Sequence, residues 1–103
     1  MEDSTYVRVN RARVKSGRWD EFEAAYAGIV PLVGKAEGLR GRWLVRSMED
    51  TDDCYVVSMW ASEEAMSLFE GDLGIHEAML AAMMPFLEEP FTADHGKVQY
   101  FDS

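Results

Sequence analysis

Little in this chain favours a charged polymer or a membrane as its partner. Only ten lysines and arginines stand against nineteen aspartates and glutamates, for a net charge of −9 at pH 7. A chain this acidic repels phosphate backbones, which excludes nucleic acid as a natural ligand. The same balance argues against anionic membrane surfaces. No apolar run approaches the roughly 20 residues that span a bilayer. The opening "MEDSTYVRVN" has neither a basic start nor a long apolar core, so no secretory leader is expected. A single cysteine, Cys54, precludes an intrachain disulfide and fits a reducing cytoplasm. It lies inside an apolar run and reads as a small buried residue, not a nucleophile. Two histidines and scattered acids show no metal-ligand spacing. There is no Gly-rich phosphate loop or dinucleotide fingerprint, so tightly bound NAD or flavin is not expected.

What is present is apolar surface. Hydrophobic residues make up 48% of a chain of 103 residues, more than one small core easily absorbs. The length suits one domain, taken as residues 1–103 with a core of about 5–101. The acids gather in "DEFE", "MEDTDD", "ASEE" and "FLEEP", which read as solvated faces and turns.

"TYVRVNRARV", residues 5–14, is β-branched and predicts a strand. Alternation sends Tyr6, Arg8, Asn10 and Ala12 to one face, and Val7, Val9 and Arg11 to the other. Ser16 is the expected N-cap of the helix that follows. In that helix Trp19, Phe22, Tyr26, Ile29 and Val33 recur at helical spacing. Gly28 and Pro31 interrupt the pattern and predict a kink near residues 27–31 or an early end. "LRGRWLVRSM" (39–48) and "CYVVSMWA" (54–61) predict an antiparallel hairpin about the charged turn "EDTDD". In the second of these strands Cys54, Val56 and Trp60 share one face, and Tyr55, Val57 and Met59 share the other. Both faces are apolar, so both should be covered.

Ser62 opens the next helix, with Glu63 and Glu64 in its first turn. "EGDLG" breaks it. A helical pattern then resumes at residue 75, with His76, Leu80, Met83 and Leu87 on one stripe. Pro85 and Pro90 signal its end, and "FTADHGKVQYF" is a weaker last strand in which His95 reads as exposed. The order strand, helix, strand, strand, helix, strand is the α+β, ferredoxin-like split βαβ arrangement. It places a four-stranded antiparallel sheet under helices on one face. No remaining element can cover the other face. A second copy of the chain can, so a homodimer with sheets face to face is expected.

Four stretches carry a family resemblance. They are "VKSGRWDEFEAAY", "AEGLRGRWLVRS", "YVVSMWASEEAM" and "GIHEAMLAAMMPFLEEP", in family order across residues 6–101. Together they resemble the antibiotic-biosynthesis-monooxygenase (ABM) family. The resemblance implies a dimeric α+β barrel. It also implies one of two chemistries: cofactor-free oxidation of phenols and quinols by O2, or haem degradation.

Three residues are candidates for catalysis. Asn10 sits mid-strand, where asparagine is disfavoured; its amide offers donors and an acceptor to a phenolate or a bound oxygen species. It also reads as a polar residue near a sheet edge, satisfied by water. The resemblance matches it to the first-strand asparagine of the haem-degrading branch. His76, with an ordinary pKa near ~6.5, suits a base for a phenol proton. It alternatively suits an axial haem ligand, or a structural residue with one hydrogen bond. Family resemblance places it in a "PH" segment whose proline is here Ile75. Trp60, at a strand–helix junction, either packs the core or stacks on a flat substrate.

Phe22, Tyr26, Met66, Phe69, Met79, Met83 and Phe86 are the candidate pocket lining, though a stripe of this kind also serves as plain core. By the resemblance, Phe69 is the nearest position to a tryptophan of the haem-degrading branch, a departure that weakens the haem alternative. The functional expectation is a cofactor-independent monooxygenase acting on an aromatic phenol or quinol. The alternatives are a haem-degrading enzyme and a non-catalytic dimer that binds a small molecule.

Overall fold

A computed structural model describes residues 5–102. Residues 1–4 and 103, the ends of the expected domain span, lie outside the described residues. The elements run β1 (Tyr6–Arg13), α1 (Trp19–Val33), β2 (Leu39–Arg46), β3 (Asp53–Trp60), α2 (Glu63–Glu70), α3 (Ile75–Met83) and β4 (Thr92–Lys97), with one 3₁₀ turn at Met84–Phe86. The four strands form one antiparallel sheet in the order β2-β3-β1-β4. This is the ferredoxin-like arrangement. The second helical crossover is divided into α2 and α3 where "EGDLG" breaks the chain. No helix among the described residues is long and apolar enough to cross a membrane.

Local chemistry sets the helix boundaries. Ser62 caps α2, its hydroxyl accepting the Ala65 N–H at 3.0 Å. The Asp72 carboxylate accepts from the N–H groups of Gly74 (2.6 Å) and Ile75 (2.7 Å) and so opens α3. Ser16 does not cap α1, contrary to its sequence reading. Gly17 takes a left-handed turn (φ +77°), and Arg18 becomes the residue before the helix, with no side-chain cap. Arg18 instead pairs with Glu21 in the first turn. Nor does Pro31 end α1 early. It lies in the last turn, where it removes one backbone bond. Buried Ile29 and Val33 hold the helix on both sides of it, and the Gly34 N–H closes on the Val30 carbonyl at 2.9 Å.

Strand alternation divides the sheet into two unlike faces. Under the helices, Cys54, Val56 and Trp60 join Phe22, Val33, Met79 and Met83 in a closed core. Burial pushes the Cys54 thiol up to about 11, consistent with an inert side chain. Interleaved with these apolar groups, also on the helix side, are buried Arg8, Asn10 and Ser58. On the opposite face Val7, Val9, Tyr55, Val57 and Met59 are only half-buried, and Trp43 and Val45 are exposed. No described element covers them.

Candidate functional site

β1 delivers two polar side chains to the apolar side of the sheet, and the register fixes their neighbours. Arg8 lies between Ser58 on β3 and His95 on β4, and Asn10 lies between Val56 and Ala93. α2 brings Phe69 and Glu70 over this patch, and α3 brings His76. Arg8, Asn10 and His76 are all buried, at 5%, 2% and 9% exposure.

Arg8 is the centre of the cluster. Its Nε donates to Glu70 Oε2 at 2.5 Å, one Nη donates to Asn10 Oδ1 at 2.7 Å, and the other meets His76 Nε2 at 3.2 Å. Glu70 Oε2 is shared with His95 Nε2 at 2.7 Å. Burial by itself would raise the Glu70 carboxyl, but hydrogen bonds from His95 and Arg8 outweigh it and hold the group below the usual range. Burial lowers the His76 pKa, and the positive charge of Arg8 lowers it further. His76 is therefore neutral near pH 7.

A guanidinium only donates. The Asn10 oxygen and the His76 Nε2 must both accept from Arg8, so Asn10 Nδ2 and the proton on His76 Nδ1 are left over. Neither has a partner among the described residues. An unmade bond at a buried polar group costs about 1–3 kcal/mol, and native proteins keep few of them. Both belong to side chains bonded to Arg8, and each is a donor that an acceptor atom would satisfy.

Trp60 is fully buried, and its indole N–H is spent on Ser58 Oγ at 2.9 Å. It contributes a ring rather than a donor: it packs on Phe69 (4.9 Å between centroids), which in turn meets His76 edge-on at 5.0 Å. So Asn10, Trp60 and His76 are brought together, through Arg8 on one side and Phe69 on the other.

The expected pocket lining is not brought together in the same way. Phe22, Met66, Met79 and Met83 are buried core. Phe86 lies under Arg18, and Tyr26 faces Arg42 at 4.5 Å. A cavity of about 590 Å³ opens where the end of α1, the β3–α2 junction and the start of α3 meet, lined by Lys35, Gly38, Ser62, Ala65, Phe69 and Ile75 among others. This volume suits a small-molecule site. Asn10 and His76 do not line it. Phe69 stands between it and the cluster, one side on the cavity and the other against His76 and Arg8.

Sequence reasoning missed Arg8 as the organiser, although it placed Arg8 on the face of Asn10. Glu70 and the inward-bonding His95 carried no sequence signal beyond their chemical type. His95 is exposed, as read, yet it bonds into the cluster. Haem does not fit this arrangement. His76 Nε2 already faces a guanidinium, and a cation at that nitrogen opposes an iron ion there. Among the described residues no group of three or more His, Cys, Asp or Glu is placed to hold a metal.

The sequence profile of the family described as Antibiotic biosynthesis monooxygenase matches residues 5–79. The chain belongs to this family. Among solved structures, it is similar to a protein of the antibiotic biosynthesis monooxygenase type from Bordetella bronchiseptica. That pair shares 26% identity over 90% of this chain and 95% of the other, with a TM-score of 0.81. A second ABM-type structure, from Nitrosomonas europaea, shares the fold at 13% identity over 97% and 95% of the two chains, with a TM-score of 0.82. SnoaB from Streptomyces nogalater, described as a cofactor-independent oxygenase, shares it at 19% identity over 97% and 96%, with a TM-score of 0.73. No curated protein sequence matches the chain.

Proposed function

We propose that this ABM-family chain is a cofactor-independent monooxygenase that oxidises an aromatic phenol- or quinol-type molecule with O2, acting as a homodimer of one-domain subunits. The observation that carries the reading is the pair of buried N–H donors without partners, Asn10 Nδ2 and His76 Nδ1–H, beside the rings of Phe69 and Trp60. Family membership and the fold shared with SnoaB support it. Pairing through the half-buried Val9, Tyr55, Val57 and Met59 would close the open face of the sheet.

In this reading the substrate enters from the 590 Å³ cavity, and Phe69 swings aside to let its ring oxygen reach the donors. Donors fixed in a dry site stabilise the oxyanion without reorganising. His76 then acts as a donor rather than a base, and the phenol proton leaves to water. The anion passes one electron to O2. The ring radical and superoxide join in a C–O bond, the O–O bond breaks, and water departs. For an anthrone the sum is ring CH2 plus O2 giving C=O plus H2O.

The test is oxygen uptake with anthrone, run on protein whose sedimentation is measured in the same buffer. The expected result is turnover by a dimer, with kcat lowered about 100-fold in Asn10→Ala. Equal turnover in Asn10→Ala and His76→Ala removes the assigned roles, and a monomer removes the dimer. One observation favours a second reading, a non-catalytic binding dimer: Asn10 and His76 do not line the 590 Å³ cavity. That reading predicts thermal stabilisation by anthrone with no oxygen consumed.

A further inference from the structure

Histidine and asparagine are two-faced side chains. Each offers a donor and an acceptor, and each can turn over. In most sites the ligand chooses which face it meets. Here one neighbour has removed the choice, because Arg8 touches both with groups that can only donate. The amide oxygen and the imidazole lone pair are consumed on the Arg8 side. Both remaining groups are N–H.

We propose that Arg8 is a positioning residue: it sets the tautomer of His76 and the amide orientation of Asn10, so that the site accepts a ligand only through an ionised oxygen, as phenolate and not phenol. The inference rests on the function proposed above and narrows its substrate to one ionisation state.

Three features carry it. First, the guanidinium is itself held. Glu70 Oε2 takes its Nε at 2.5 Å, and His95 holds the same carboxylate oxygen from the other side at 2.7 Å. The Phe69 ring lies 5.7 Å from the guanidinium carbon. The planar fork cannot rotate without losing these contacts. Second, Asn10 Nδ2 and His76 Nδ1 belong to side chains more than nine-tenths buried and have no partner among the described residues. Third, a neutral hydroxyl has a proton to place. His76 Nε2 has its single lone pair on Arg8, and Asn10 Oδ1 and Ser58 Oγ each already accept one bond, from Arg8 and Trp60. A phenolate oxygen has no proton to place and can only accept, which is what an N–H group requires.

The chain holds only two histidines, so two-bond ¹H–¹⁵N correlation spectra of the imidazoles resolve them, with His95→Asn assigning the pair. The expected wild-type result near neutral pH is His76 protonated on Nδ1 and bare on Nε2. In Arg8→Met the pattern moves to Nε2–H or to a mixture. A wild-type His76 protonated on Nε2 overturns the proposal, and this arm needs no variant to fold. An Arg8→Met protein that folds and keeps the Nδ1–H pattern overturns it too.

The ligand arm uses 1-naphthol, whose anion absorbs at longer wavelength than the neutral form. Bound naphtholate at a pH where the free compound stays neutral supports the proposal; naphthol bound in its neutral form overturns it. The two readings separate cleanly. Oxygen uptake from anthrone with the wrong His76 tautomer leaves the proposed function standing and removes the role of Arg8. The right tautomer and bound naphtholate without oxygen uptake leave Arg8 in place and remove the oxygenase.

Discussion

Arg8 and Arg13 stand near opposite ends of β1 and on opposite faces of it. Arg13 has the richer set of charges: it meets Asp53 at 2.7 Å, Asp50 at 2.9 Å and Asp52 at 3.9 Å. Arg8 meets one carboxylate, and spends its other bonds on an amide and an imidazole. Yet the Arg8 side chain is 6% exposed and that of Arg13 43%. Water replaces whatever Arg13 loses, whereas nothing replaces Arg8. The number of ion pairs is thus a poor guide to importance, and the dielectric around them is a better one.

Truncating each arginine is the direct way to break the contrast. Arg8→Met leaves Glu70 with His95 alone and strands Asn10 Oδ1 and His76 Nε2 at once. Each unmade bond at a buried polar group costs about 1–3 kcal/mol, so the midpoint of urea unfolding should fall sharply. A change within error would mean that water reaches the cluster. A smaller effect comes from acid. The folded-state pKa of His76 is lowered by burial and by Arg8, so the unfolded chain binds the proton more readily. Stability contributed by the neutral imidazole is complete above about pH 6.5 and is lost as pH falls from there toward the folded pKa. Urea midpoints taken down this range should decline less steeply in His76→Asn than in the wild type; parallel slopes would show that His76 is not the group responsible. Smallest of all is Arg13→Met, for which the urea midpoint is expected to stay close to the wild type. A loss as large as that of Arg8→Met would erase the distinction between the two ends of the strand.

Much of the fold was legible because it depends on periodicity. Alternation grouped Arg8 with Asn10 on β1 and Val56 with Trp60 on β3, and the register of the two strands puts both groups on the helix side. Helical spacing put His76 on the stripe of Met83 and Leu87, all three buried. Ser62 declared itself as a cap because its contact is with the Ala65 N–H, three residues on. Ser16 misled because a left-handed Gly17 moved the helix start past it. The cluster was legible only in part. Asn10 stood out as a residue type unsuited to its strand, but arginine in a strand reads as surface. Its partners Glu70 and His76 lie 62 and 68 positions along the chain. Such pairings are made by tertiary packing, which no local pattern encodes. The same holds for Trp60: the ring was visible at once, but the hydroxyl that consumes its N–H was not.

Gly38 lines the large cavity, with φ at +85°, and a methyl group built on it would stand 2.5 Å from the Ala65 methyl. The segment entering β2 and the first turn of α2 therefore touch through hydrogen atoms alone. Ala61 and Ala65 continue the same economy along the rim. The hollow owes its room to carbon that was never added. Its width is set where the backbones meet, so bulk gained on that seam would push the first turn of α2 outward before it could make the hollow smaller.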